Sequence, residues 1–200
     1  MRTRCIWLQM FAVSAALSLA IAASGQNKAE KKAGAGGKHP IVVMETTMGT
    51  IKIEVLTDKA PVTAKNFLDY VTAGFYTGTV FHRVVPEFVI QGGGYLENMT
   101  RKPTTPPIKN ESKNGVKNLR GALSMARYDD PNSATSQFFI NLKDNAHLDP
   151  PPGGWGYAVF AKVVDGMDVA DKIVNVPATN MGPMENVPKT PVVIESAKRQ

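Results

Sequence analysis

Between Phe81 and Gly93 the sequence FHRVVPEFVIQGG sets a guanidinium (Arg83), an imidazole (His82) and a carboxamide (Gln91) among Phe81, Phe88, Val89 and Ile90. A guanidinium is always charged and directs that charge through a rigid fork of donors, so the chemistry open to this group is electrostatic. Read alone, Arg83 is equally a surface arginine or an ion-pair partner, Phe88 plain core and Gln91 an ordinary strand residue. Other chemistries lack their residues. His39, His82 and His147 show no metal-ligand spacing, and the single cysteine, Cys5, stands far from them. No G-x-S-x-G is present to supply a hydrolase nucleophile. Gly92-Gly93-Gly94 is not followed by Lys-Ser/Thr, so it reads as a turn or bulge and not as a phosphate cradle. His82 is expected to serve as a structural hydrogen-bonding residue.

The elements that must position these groups are short. Ile41–Glu45 is an apolar run, Met48-Gly49 supplies a turn, and Thr50–Leu56 alternates, with Ile51, Ile53 and Val55 on one side and Lys52 and Glu54 on the other. That is a hairpin with one buried face. Pro61 suits a first helical position, Ala64, Phe67, Leu68 and Val71 follow at helical spacing, and Gly74 offers a C-terminal cap. Further apolar runs occupy Val80–Val85, Phe88–Gln91, Ala122–Met125, Phe138–Ile140, Tyr157–Val164 and Val192–Glu195, and a second helix is expected over Asp168–Val174. Many short strands, turn residues between them and two helices predict a mainly β, closed antiparallel sheet. The scattered methionines are expected in the core.

The chain of 200 residues carries a net charge of +6. Arg2 and Arg4 hold two of those charges and residues 26–39 a net three more, which leaves +1 for residues 40–200. The body is nearly neutral, and no nucleic-acid partner is expected. Arg2 and Arg4, the apolar stretch Ile6–Ala23 and the small residues Ala20 and Ala22 read as a signal peptide over residues 1–23, with a membrane contact only if that leader stays uncleaved. Residues 24–39, rich in Gly, Ala and Lys, read as a flexible tether, and 40–200 as the domain. The expected location is periplasmic or secreted. With Cys5 in the leader, the mature chain would hold no thiol.

Three blocks then carry a resemblance. FHRVVPEFVIQGG resembles the cyclophilin signature F-H-R-x-x-x-x-F-x-x-Q-G-G. LSMARYDDPNSATSQFFI, Leu123 to Ile140, is similar to the second family block, and YAVFAKVVDGMDVADKI, Tyr157 to Ile173, to the closing strand and helix. The likeness extends over about residues 40–200 and includes the V-P-x-x-P-V-V-I ending, Val187–Ile194, of the bacterial secreted branch. It implies a closed eight-stranded antiparallel β-barrel capped by two α-helices, and a cofactor-independent peptidyl-prolyl cis–trans isomerase acting on proline-containing polypeptides.

Such a reaction breaks no covalent bond. The C–N bond rotates against a resonance barrier of about 18–20 kcal/mol, and a catalyst must favour the twisted amide over the planar one. The prolyl nitrogen then regains a lone pair, which a fixed cationic donor can meet. The resemblance assigns that donor to Arg83, with Gln91 holding Arg83 and the substrate carbonyl. It implies an apolar cup for the pyrrolidine ring from Phe88, Val89, Phe139 and Leu148, with Phe138 left to the core. Ala126 and Arg127 would line the strand where substrate backbone pairs, Gln137 would contact the preceding residue, and Tyr157 stands where many eukaryotic members carry His. His147 takes the place of a Trp in strongly cyclosporin-binding members, so weak cyclosporin binding is expected. A monomer that assists the folding of exported proteins is the leading expectation. A proline-peptide-binding holdase, in which catalysis is secondary, is the alternative.

Overall fold

The computed structural model describes residues 39–200; the expected leader, its Cys5 and tether residues 24–38 lie outside the described residues. His39, the last residue assigned to the tether, is held against the domain: its Nδ1 lies 2.9 Å from a Glu54 carboxylate oxygen and its Nε2 2.7 Å from one of Asp58.

The strands β1 (Ile41–Thr46) and β2 (Gly49–Val55) form the expected hairpin, burying Val42 and Met44 on one and Ile51, Ile53 and Val55 on the other. Helix α1 (Pro61–Thr72) starts at its proline, whose missing N–H costs nothing there. Its exposed amides are capped from afar: Glu111 accepts the N–H of Val62 at 3.1 Å and of Thr63 at 2.8 Å. Gly74 follows at φ +65°, a conformation that ends the helix without a Cβ clash.

Next come β3 (Thr79–Val85), β4 (Val89–Leu96), β5 (Ala122–Met125), β6 (Phe138–Asn141), β7 (Val159–Asp165) and α2 (Met167–Val174). A short hairpin of β8 (Ala178–Met181) and β9 (Met184–Pro188) precedes β10 (Ile194–Arg199). The main sheet has eight strands, all antiparallel, in the order β10-β1-β2-β7-β5-β6-β4-β3. Its edges meet where the Phe81 N–H donates to Val192 O at 3.0 Å and the Gly78 N–H to Ile194 O at 2.9 Å. The barrel is thereby nearly closed, which removes the exposed sheet edges that invite pairing with other chains.

An aromatic cluster fills the barrel beneath α1. The Phe67 ring lies 5.3 Å from Tyr76, 5.9 Å from Phe138 and 5.1 Å from Phe160, centroid to centroid, and all four are fully buried. Helix α1 packs against β7 and β10, and α2 against β2, β3 and β4.

Three expectations need correction. The β8–β9 hairpin was not foreseen, because β8 (ATNM) is exposed at every position and so has no apolar alternation. The run Phe88–Gln91 extends to Leu96 through the glycines, which form the bulge of the two forms expected of them, inside a strand longer than expected. The methionines are not uniformly core: Met44 and Met125 are buried, whereas Met181 is 47% exposed on the hairpin.

Candidate functional site

The site lies on the outer face of the barrel, across β3, β4 and β6. On β6, Phe138 and Ile140 point into the core, so Phe139 between them points out. On β4, Ile90 is core, and Val89 and Gln91 share the outer face; Gln91 pairs with Phe139 across the ladder. Val89, Phe139 and Leu148 form a small apolar cluster separate from the barrel core, with Phe88, Ala126 and Tyr157 packed against it.

Arg83 reaches this face because β3 is bulged. Phe81 pairs with Gly92 and Arg83 with Gln91, so β3 carries one extra residue, His82, at that step. An extra residue re-aims the side chains beside it: Phe81 and Val84 both enter the core while Arg83 turns outward, half-buried. The glycines opposite make room. A Cβ at Gly93, which has φ +82°, would lie 2.8 Å from the Tyr76 ring and 2.9 Å from Phe138, and one at Gly94 would meet the Gln137 side chain at 2.5 Å.

Two adjoining cavities result. The cup, about 190 Å³, is lined by Phe88, Val89, Phe139, Leu148 and Tyr157, with Arg83, Gln91, Ala126 and Arg127 along one side. The four latter residues also line a neighbouring cavity of about 340 Å³, whose other walls include Gln137, Tyr95, Arg101 and the hairpin residues Met184 and Glu185. The Arg83 guanidinium carbon stands 5.8 Å from the Phe88 ring centre. It has no side-chain hydrogen bond or ion pair among the described residues. The cation therefore stands at the join of the two cavities with donors to spare.

Several expected residues meet here in a different arrangement. Gln91 does not hold Arg83: its Nε2 donates to Gln137 Oε1 at 3.0 Å. Gln137 lines the neighbouring cavity. Ala126 and Arg127 follow the end of β5 instead of lying within it, and the Ala126 N–H is already donated to Gln137 O at 3.0 Å. Arg127 turns its side chain along the rim, where it donates to backbone carbonyls and covers the Tyr157 ring at 4.8 Å. His147, in the 3₁₀ turn Ala146–Leu148, does not line the cup; it is exposed and stacks on Phe88, centroids 5.4 Å apart and planes at 23°. Tyr157 meets Phe139 edge to face at 5.5 Å.

Of the His82 ring nitrogens, Nδ1 is buried without a hydrogen-bond partner. The ring packs on Tyr95, centroids 4.7 Å apart. Burial, aided by the Arg83 charge and opposed by the Val80 carbonyl and Gln137, pushes its pKa down to about 4. A neutral imidazole beside Arg83 leaves the guanidinium as the charge of that strand.

The sequence reading passed over a buried amide network beneath the cup. Ser124 Oγ donates to Asn118 Oδ1 at 2.7 Å, Asn141 Nδ2 to the Ala122 carbonyl at 3.0 Å, and Asn145 Nδ2 to both Asn141 Oδ1 at 2.8 Å and the Phe88 carbonyl at 3.1 Å. Asn118 Nδ2 donates to Asp149 Oδ1 at 3.0 Å. Burial opposes the Asp149 charge, but the two Asn118 donors and Lys117 outweigh it and hold the carboxyl below its usual range. The network fixes the backbone that carries Phe88 and the turn that carries Leu148. Its only signal in sequence was asparagine at the ends of apolar runs.

The family model described as cyclophilin type peptidyl-prolyl cis-trans isomerase/CLD matches residues 41–199. The chain is 57% identical over 157 residues to peptidyl-prolyl cis-trans isomerase A of Dickeya dadantii, covering 78% of this chain and 83% of that one. It is 54% identical over 159 residues to peptidyl-prolyl cis-trans isomerase B of Escherichia coli, covering 78% and 97%. Among solved structures, a Cryptosporidium parvum cyclophilin type peptidyl-prolyl cis-trans isomerase, crystallised in the presence of the dipeptide Ala-Pro, superposes with a TM-score of 0.69 at 29% identity, over 80% of this chain and 98% of that one.

Proposed function

Because the chain belongs to the cyclophilin-type peptidyl-prolyl cis–trans isomerases, we propose that it accelerates rotation about Xaa–Pro bonds in exported polypeptides as they fold, with Arg83 as the catalytic cation. The observation that carries this reading is the Arg83 guanidinium at the join of an apolar cup and a second cavity, with no carboxylate claiming it among the described residues.

At a barrier of about 20 kcal/mol an X–Pro bond turns over roughly once in a hundred seconds. Phe88, Val89, Phe139 and Leu148 form a cup of about 190 Å³, suited to a pyrrolidine ring, and hold the prolyl side of the bond. The residues before proline extend towards the neighbouring cavity beside Gln137. As the amide twists, its nitrogen becomes an acceptor and Arg83 donates to it. The donor is already in place, so no reorganisation is needed at the moment of rotation. No proton is transferred and no bond is made. A holdase needs the cup but gains nothing from a cation with spare donors beside it, which favours catalysis over binding alone.

Export rests on the charged, apolar and small-residue succession of residues 1–23. Protein recovered from the native host should lack roughly its first 22–24 residues by intact mass and be inert to thiol reagents. Full-length, membrane-bound protein would instead favour an anchored enzyme. Activity is tested by NMR exchange on an Ala-Pro-containing peptide. Catalytic amounts of wild type should broaden or merge the cis and trans resonances. Binding shifts without faster exchange would make the chain a holdase.

A further inference from the structure

The loop Asp149–Gly156, with Pro150–Pro152 and Gly153-Gly154, connects two walls of the cup, Leu148 and Tyr157, yet contributes no strand to the sheet. Its neck is fastened: Tyr157 N–H donates to Leu148 O at 2.9 Å, and Asn110 Nδ2 to Gly156 O at 3.1 Å. Gly156 N–H donates to Ser112 Oγ at 3.1 Å, and within the loop Gly154 N–H donates to Pro151 O at 2.9 Å. Ser112, Lys113 and Asn118 hold the loop from one side, with Lys113 Nζ 4.2 Å from the Trp155 ring centre, and Arg127 joins it to the segment after β5. Arg127 donates Nε to Gly156 O at 3.2 Å and one terminal nitrogen to Trp155 O at 3.1 Å; its other terminal nitrogen bonds Tyr128 O at 2.7 Å and Asp129 O at 3.2 Å. Its flat face covers Tyr157, whose ring in turn braces Phe139.

From this geometry we infer that the Arg127 side chain is a positioning residue for the isomerase reaction: it ties the loop Asp149–Gly156 to the segment that follows β5 and so fixes the Tyr157 and Leu148 walls of the cup. Four backbone carbonyls, supplied by two segments, are met by one planar fork of donors. A lysine carries the same charge as a single point and cannot span them. No carboxylate pairs with Arg127 among the described residues, so its donors are spent on geometry and not on neutralising charge. The inference rests on the isomerase reading. It assigns Arg127 to the walls that hold proline, leaving rotation itself to Arg83.

The test uses the full chain with Trp7→Phe, so that all tryptophan emission comes from Trp155, the other of the two tryptophans. Arg127→Ala and Arg127→Lys are compared with the parent in isomerase kinetics on one Xaa-Pro peptide, and in time-resolved anisotropy and acrylamide quenching of Trp155. Both variants should raise KM by about five- to tenfold with the smaller change in kcat, and both should speed local motion and quenching of Trp155. If Arg127→Ala does not fold, Arg127→Lys carries the test. Lysine restoring wild-type KM and anisotropy would overturn the clamp, because charge alone would then suffice. A raised KM with unchanged Trp155 dynamics would also overturn it, since Arg127 would then act on substrate directly. If the parent shows no turnover, the isomerase reading fails, and the Trp155 measurements still decide whether Arg127 fastens the loop.

Discussion

At the scale of single residues the arrangement sets the Arg83 cation beside an imidazole whose charge the fold suppresses. Burial holds His82 neutral down to about 4. A histidine whose folded pKa lies below its unfolded 6.5 binds fewer protons when native, so its contribution is fully present above 6.5 and lost as the pH falls through about 4. Wild type should therefore lose stability across that window, with a ceiling of about 3 kcal/mol from His82. Urea titrations at several pH values should show a shallower loss for His82→Asn; equal slopes would show that His82 does not titrate this way. His147 offers a second residue-scale prediction. It stacks on Phe88 at the cup's edge, and an indole there would add aromatic surface and an N–H donor. Cyclosporin should inhibit wild type weakly, and His147→Trp should tighten inhibition by at least about tenfold, or 1.4 kcal/mol. Nanomolar inhibition of wild type, or no gain from the tryptophan, would contradict this. The convergence of Arg83, Phe88, Phe139 and Leu148 on one cup was legible in the sequence motifs. The wiring was not. That Gln91 bonds Gln137 and that Arg127 serves the rim depend on the β3 bulge and on loop packing, neither of which leaves a periodic trace.

At the scale of elements, periodicity served wherever one face of a segment is buried and failed where none is. Helix α1 was legible because Ala64, Phe67 and Val71 repeat on its buried face and Pro61 and Gly74 bracket it. The strands β1 and β2 were legible by alternation. The β8–β9 hairpin was invisible because β8 has no buried side. Helix α1 is held chiefly through Phe67, wedged among Tyr76, Phe138 and Phe160. Phe67→Ala should cost about 3–5 kcal/mol, because the aromatic void cannot collapse against a closed sheet. Denaturant unfolding checks it, and a loss below about 1 kcal/mol would mean that the helix is held by other contacts.

At the scale of the whole molecule, the barrel keeps two apolar assemblies apart: a core sealed inside the sheet and a smaller cup on its outer face. The inner core, with Phe67, Phe138 and Phe160, gives the sheet its rigidity. That rigidity lets β3, β4 and β6 present Arg83, Val89 and Phe139 at fixed separations while the cup stays open. On the proposed mechanism, preorganisation of this kind would let a single cation lower the barrier to rotation without moving a proton. The same division predicts that removing the cation leaves the fold intact, since Arg83 lies outside the core. The decisive measurement is kcat/KM of wild type and Arg83→Ala on one Xaa-Pro peptide, with circular dichroism and thermal unfolding to establish that both are folded. A fall of roughly 10²–10³-fold, about 3–4 kcal/mol, in a folded variant is the expected result. Near wild-type turnover by a folded Arg83→Ala protein would contradict the mechanism.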